Sequence, residues 1–403
     1  MDLTIAVKRF IEREWDRKSP LLLGYSGGGD SKSLLYALLE TEAAECLHLA
    51  HVDHGWRKTS SHEAQLLAEE AASLKLPFHT IRLREQPSQN LEEAGRIARI
   101  SFFSSLFAQI PFQALLLAHH ADDVAETALK RLLEGAHLQN MGAMAEISSL
   151  QGMTVWRPLL KEKKRALTKS GFIDPTNVDP KFLRARMRQN LIPMLSESFG
   201  KEVSENLSLV SKRAYELRQY LDRKIASIEV LEGPWGKAAH IENVERIEAR
   251  HLLLKWAQTS REILEAVLCN TTGKHGPFIV DRGWVFLPSP HLPQFGPEIL
   301  LTPGRFVSGD WDIEVVETNE AIAAPQWQDL WKGKFTVQLP QGVLKKSERL
   351  SSEEYRIAKI PPFLRPYLPS IDTQTLFAKP INPRFFVNIT ISSTITYDSA
   401  GTI

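Results

Sequence analysis

Two short stretches of the chain concentrate the residue types that can do chemistry. The first, GYSGGGDSKS (24–33), places Gly27, Gly28 and Gly29 between Ser26 and the pair Asp30 and Ser31. Without Cβ atoms a turn can aim its backbone N–H groups inward, and a helix beginning there adds its positive end, so the stretch suits a phosphate. The Ser26 and Ser31 hydroxyls can donate to the same anion, and Asp30 or Ser31 can cap a helix running from Lys32 to Glu40. A tight capped turn with no ligand is the competing reading. The glycines are contiguous and Lys32 follows Ser31, so this is not the GxxxxGK[ST] loop.

The second stretch, HHADDVAET (119–127), spaces Asp122 from Glu126 and Asp123 from Thr127 by four. A helix starting near Ala121 turns both pairs toward the same strand ends. Carboxylates there can hold a divalent cation beside a nucleotide, or pair with an ammonium and help to deprotonate an attacking amine. An acidic first turn that merely complements the helix dipole is the plainer alternative. HVDHG (51–55) closes another apolar run and puts Asp53 where doubly wound folds contact a ribose or base, while His51 and His54 read equally well as core or turn histidines.

Basic residues form two further groups. Glu93, Arg96 and Arg99 recur every third residue on one predicted helix face, with Ile97 and Phe103 expected to pack inward. From 157 to 188 the chain carries ten Lys or Arg against three Asp or Glu, while its overall formal charge is +1. Such a run is commonly a solvated face. Next to a predicted active-site edge it is better read as a contact for a nucleic-acid backbone.

These residues need a scaffold. Apolar runs at 21–25, 46–52, 77–83 and 114–118 alternate with amphipathic segments at 61–74 and 90–107. Continuous apolar strands joined by helices predict an α/β fold with a doubly wound, mostly parallel sheet over residues 1–195. Helical periodicity then dominates, predicting a mainly helical domain over 196–297, and short β-type runs among prolines predict a small mixed α/β domain over 298–403. Only Cys46 and Cys269 occur, with no CxxC, which supports neither a disulfide framework nor a zinc site. The N-terminal MDLTIAVKRFIEREWDRK lacks a leader's apolar core, and no apolar stretch approaches the roughly 20 residues that span a bilayer, so a soluble cytoplasmic protein with no membrane contact is expected.

The order Ser-Gly-Gly-x-Asp-Ser after an apolar strand resembles the loop of the ATP pyrophosphatase (PP-loop) superfamily, with its adenine nucleotide alpha hydrolase-like fold. Members cleave ATP to AMP and pyrophosphate while adenylating a substrate. HVDHGWR (51–57), LEEAGRIARISFF (91–103), AHHADDVAETALKRLLEGAHLQNMGAM (118–144), WRPLL (156–160), DPTN (174–177) and RARMRQNLIP (184–193) follow in the order of tRNA(Ile)-lysidine synthetases. KIPPFLRPYLP (359–369) is similar to an end-domain motif of longer members.

The resemblance implies that ATP, with Mg2+, activates carbon 2 of the wobble cytidine of a CAU-anticodon tRNA(Ile), and that free lysine displaces AMP through its side-chain amine. A single-stranded anticodon loop makes the exposure of that base cheap. Carried onto this chain, it assigns catalysis to Asp30, Asp122, Asp123 and Glu126, and ATP binding to Ser26, Gly27, Gly28, Gly29, Asp30, Ser31, Asp53 and His119. Mg2+ falls to Asp30 and Asp123, and tRNA or triphosphate contact to Arg96, Arg157, Lys161, Arg184 and Arg188, with the later domains gripping the tRNA elsewhere. A homodimer is left open.

Ala185 stands where the family usually has Asn, His137 and Asn140 where it often has Gly, and Val124 where it often has Gln; the stretch from Leu160 to Asp174 is short. A tRNA thiolase of the same fold needs sulfur-carrying cysteines, and an amidotransferase needs a glutaminase segment; neither is visible. A tRNA-binding protein that has kept the fold and lost catalysis is the alternative from a different class. The intact glycine loop and acidic cluster count against it.

Overall fold

The computed structural model describes residues 3–55, 59–83, 91–142, 144–167, 169–172, 179, 181–317, 325–346, 353–371, 374–377 and 385–391. DPTN (174–177), Trp56 and Arg57 of HVDHGWR, and the last twelve residues lie outside these. The chain forms two compact units, the first running to Gln219 and the second beginning at Tyr220. The expected boundaries at 195 and 297 fall inside them.

In the first unit α1 (Leu3–Glu14) leads into β1 (Leu21–Gly24), α2 (Gly29–Leu39), β2 (Leu47–Asp53), α3 (Ser60–Ser73), β3 (Phe78–Arg82), α4 (Leu91–Gln109), β4 (Ala114–Leu116) and α5 (Ala121–Leu133). The hairpin β5 (Ile147–Leu150) and β6 (Met153–Trp156) completes a six-stranded sheet of order β3-β2-β1-β4-β6-β5, parallel except for the β5–β6 pair. The chain moves outward from β1 to β3 and then returns to β1's other side at β4. That reversal opens a crevice at the strand ends, where ligands of such sheets bind.

Alternation along β1 shows why that central run is apolar on both faces. Leu21 and Leu23 pack with Val7, Phe10, Leu34, Leu35 and Leu67 on one face, while Leu22 packs with Ile100, Phe103, Leu106 and Phe112 on the other. Strands covered on both sides have no solvent face to make polar. Ile97, expected to pack inward, is 55% exposed; Ile100 and Phe103, later on the same helix, do the packing.

After β6 come α6 (Leu183–Arg186), a single π-helical turn (Met187–Leu191), α7 (Ile192–Phe199) and α8 (Val203–Ile225). Met187, Ile192 and Leu207 bury Ala125, Ala128 and Leu129 of α5. The acidic helix is thereby clamped from behind.

In the second unit the segment expected to be mainly helical holds α9 (Arg246–Trp256) and α10 (Arg261–Leu268) together with a five-stranded antiparallel sheet. Its strands are β7 (Val230–Gly233), β8 (Gly236–His240), β9 (Gly273–His275), β10 (Phe278–Asp281) and β11 (Trp284–Pro288), in the order β7-β8-β11-β10-β9. The hairpin VLEGPWGKAAH escaped the sequence reading because its alternation is diluted by Gly, Ala and Lys.

Beyond it, β12 (Ile299–Leu300), β13 (Gly304–Ser308), β14 (Trp311–Glu317), α11 (Trp327–Lys332), β15 (Lys334–Leu339), β16 (Val343–Lys346), α12 (Glu353–Ile357), β17 (Pro369–Ile371), β18 (Gln374–Thr375) and β19 (Phe385–Ile391) build two four-stranded antiparallel sheets. The β-branched tail had no assigned role; part of it, β19, lies between β14 and β15.

Candidate active site

β1 hands over to α2 through the glycine turn. Gly27 takes φ 78°, a left-handed conformation that costs glycine little, and Gly28 is extended and forms the helix N-cap. The helix therefore starts at Gly29, earlier than the expected Lys32, and no side chain caps it. Asp30 lies in its first turn instead of capping it, and the Ser31 hydroxyl donates to the Gly28 carbonyl at 2.9 Å. Ser26 Oγ accepts from the Gly28 N–H at 3.3 Å and lies 3.1 Å from Ser31 Oγ. Ser26 is exposed at the turn, while Ser31 is buried behind it.

One wall of the loop was not foreseen from sequence. The Phe172 N–H donates to the Gly27 carbonyl at 2.9 Å, and the Lys169 N–H to Ser33 Oγ at 3.2 Å. A Cβ on Gly171 would sit 2.4 Å from the Gly27 oxygen and 2.5 Å from the Gly29 nitrogen, so only glycine lets this segment approach. The pairing joins residues over a hundred positions apart and leaves no local pattern.

α5 begins at Ala121 as expected, with His120 as N-cap donating its N–H to Asp123 Oδ2 at 3.0 Å. The His120 ring is 1% exposed, and three of the expected catalytic carboxylates surround it. Its Nε2 lies 3.5 Å from Asp123 Oδ2 and 3.8 Å from Asp30 Oδ2, and its Nδ1 lies 3.7 Å from Asp122 Oδ2. Both histidines are expected beside the acids, with His119 alone assigned to ATP; the acids gather around His120.

Cations complete the cluster. The Lys164 ammonium pairs with Asp30, and the Lys164 backbone N–H donates to Asp122 Oδ2 at 2.8 Å. Burial alone would raise the Asp30 carboxyl, but His120 and Lys164 hold it down at about 2, so it is ionised at neutral pH. Glu126, 3% exposed, accepts two bonds from Arg188, at 2.6 Å from Nε and 3.1 Å from Nη2; the same Nη2 lies 3.3 Å from Asp123 Oδ1. Burial pushes the Glu126 carboxyl up, with Arg188 opposing. Arg188 is carried on the π-helical turn, a distortion frequent at functional sites. Thr127 is not part of the cluster, since its hydroxyl donates to the Asp123 carbonyl at 2.8 Å.

The other expected contacts divide. Arg157 is turned inward: Nη1 donates to the Ala145 carbonyl at 3.0 Å and Ser148 Oγ at 2.7 Å, and Nε to His119 Nδ1 at 3.3 Å. Arg96 forms a two-point pair with Glu93, Lys161 pairs with Glu146, and Arg184 is exposed. Asp53 is buried at the end of β2, accepting from the Gly55 N–H at 2.9 Å and facing Arg82 at 3.6 Å, so its carboxylate shapes the turn. Ala185 is buried, and the Asn140 carbonyl accepts from Arg131. Among the described residues no group of three His, Cys, Asp or Glu side chains is arranged to hold a metal by itself.

Burial, reinforced by Arg157 and Arg184, lowers the His119 imidazole from 6.5 to about 4, so it stays neutral near pH 7. A group depressed on folding contributes stability above its unfolded value that is lost as pH falls through the folded one. The chain should therefore lose up to about 3 kcal/mol from this group between pH 6.5 and 4, less whatever solvent screens. Urea midpoints across that range should fall less steeply for His119→Gln; parallel curves would contradict the assignment.

A family model described as the PP-loop domain matches residues 2–195. The tRNA(Ile)-lysidine synthase of Protochlamydia amoebophila is 32% identical over 409 residues, covering 91% of this chain and 89% of that protein. The enzyme of the same name from Chlamydia pneumoniae is 41% identical over 218 residues, covering 52% and 68% respectively. Among solved structures, the U34-tRNA thiolase NcsA from Methanococcus maripaludis aligns with TM-score 0.43 and 15% identity over 53% of this chain and 78% of its own, too slight a likeness to carry weight. The glycine loop, the acidic helix behind it and a relationship spanning nine-tenths of the sequence place this chain in the tRNA(Ile)-lysidine synthase family.

Proposed function

We propose that this protein ligates lysine to carbon 2 of the wobble cytidine of CAU-anticodon tRNA(Ile), through an adenylated cytidine, with release of AMP and pyrophosphate. The observation that carries the reading is the placing of Asp30, Asp122 and Asp123 around His120 at the mouth of a glycine turn. Backbone N–H groups there suit a triphosphate, and the carboxylates beside them suit its cation and an incoming amine.

In this reading Ser26 to Ser31 bind ATP. Asp30 and Asp123, both near the His120 ring, would supply the hard oxygen donors that Mg2+ prefers. Mg2+ held there would supply positive charge against the phosphates. We assign Glu126 to free lysine, whose ammonium would take the place of the Arg188 guanidinium before giving up its proton to the carboxylate. We place the reaction in the cytoplasm; no helix among the described residues is long and apolar enough to cross a membrane.

The inactive tRNA binder would need a broken loop or acid cluster, and both are intact. The test is product analysis after incubation with ATP, lysine and tRNA transcript. One AMP and one pyrophosphate per lysine transferred are expected; ADP as the nucleotide product would overturn the proposed chemistry.

A further inference from the structure

The basic run 157–188 reads from sequence as an RNA contact, yet several of its side chains turn toward acids. Lys164 brings its ammonium to Asp30 at the glycine loop. Its backbone is fixed beside α5, with the Ala121 N–H donating to the Glu162 carbonyl at 2.9 Å and its own N–H bound to Asp122 at 2.8 Å. From that anchor its ammonium arrives at Asp30, one residue into α2. Its neighbours point elsewhere: Lys161 pairs with Glu146 and Lys163 with Glu205.

The Lys164 side chain is 51% exposed, so it keeps the freedom to change partner. A compact ammonium on a four-carbon stem suits phosphate oxygens, which it meets as a point charge. Asp30 and the loop N–H groups lie at the same helix start, so an anion seated on the loop would come within reach of this ammonium.

We propose that Lys164 is a further catalytic residue of the lysidine-forming reaction, contacting the β- and γ-phosphates and stabilising pyrophosphate as it leaves. This rests on the function proposed above. The cytidine oxygen attacks the α-phosphorus, the bond from that phosphorus to the bridging oxygen breaks, and its electron pair departs with pyrophosphate. Lys164 keeps its proton throughout and supplies charge at the oxygens where charge grows.

The test uses the full chain and its Lys164→Ala and Lys164→Arg variants, with three readouts: calorimetric binding of inorganic pyrophosphate with Mg2+, filter binding of the tRNA transcript, and lysine transfer. Lys164→Ala should weaken pyrophosphate binding about 10-fold or more and slow transfer about 100-fold, with tRNA affinity unchanged within about twofold and partial recovery in Lys164→Arg. Wild-type pyrophosphate affinity in Lys164→Ala would overturn the proposal, as would a loss of tRNA affinity matching the loss of rate. A wild-type chain that binds pyrophosphate but transfers no lysine would overturn the proposed function instead, leaving the binding comparison to decide the phosphate contact.

Discussion

Replacing Asp123 by alanine is expected to slow lysine transfer by about a thousandfold or more, the scale of losing charge stabilisation at a reacting centre. Asp123 serves three partners at once: the His120 N–H at the start of α5, the His120 ring, and Arg188. Removing it takes away a proposed Mg2+ ligand together with a helix cap worth about 1 kcal/mol. Asp123→Asn separates these effects, since the amide oxygen can still accept from the His120 N–H but carries no charge. Both variants should keep the wild-type circular dichroism spectrum and nearly its tRNA affinity while losing turnover. A rate within about tenfold of wild type in Asp123→Asn would remove this carboxylate from the chemistry.

Arg188→Ala should be the most destabilising change in the cluster. It leaves Glu126, 3% exposed, without the two-point bond that satisfies it. Breaking a fully buried pair costs about 3–5 kcal/mol; with Arg188 38% exposed, about 2–3 is expected. The sign of the pH dependence follows from Glu126, whose carboxyl is already raised by burial. A carboxyl raised on folding contributes stability below its unfolded value of 4.5 that is lost as pH rises through the folded value. The penalty in Arg188→Ala should therefore be small near pH 4 and grow toward pH 8 in urea unfolding. Adding Glu126→Gln should recover much of the stability without recovering activity. A penalty independent of pH would show that the pair is not what the variant breaks.

Much of this was legible in the sequence wherever the signal was local. β1 and β4 announced themselves because strands covered on both faces are apolar at every position, whereas β2 mixes in His and Asp and the edge strand β3 is largely exposed; α5 started where its two acids predicted. Asp122, Asp123 and Glu126 stand out by type and spacing and Asp30 through the family resemblance, and Asp30, Asp122 and Asp123 come together around the His120 ring.

Signals that depend on distant partners were not legible. Arg157 and Arg188 belong to a basic run, but only the folded chain shows that both face inward, toward His119 and Glu126. The approach of Gly171 to Gly27 and Gly29 joins segments with no shared pattern. Asp30 was read as a cap because serine and aspartate favour that position, whereas the extended Gly28 takes it and frees the carboxylate for Lys164. Ile97 had the right period and the wrong environment. Each difference arises where tertiary contact overrides local preference.

The central claim is that the acid cluster and glycine loop ligate lysine to one base of one tRNA. The most direct measurement is transfer of radiolabelled lysine to a CAU-anticodon tRNA(Ile) transcript, with ATP, without ATP, and with the wobble cytidine changed to uridine. Labelling that requires ATP and disappears with the uridine transcript is the predicted result; labelling without ATP, or equal labelling of both transcripts, would contradict the account.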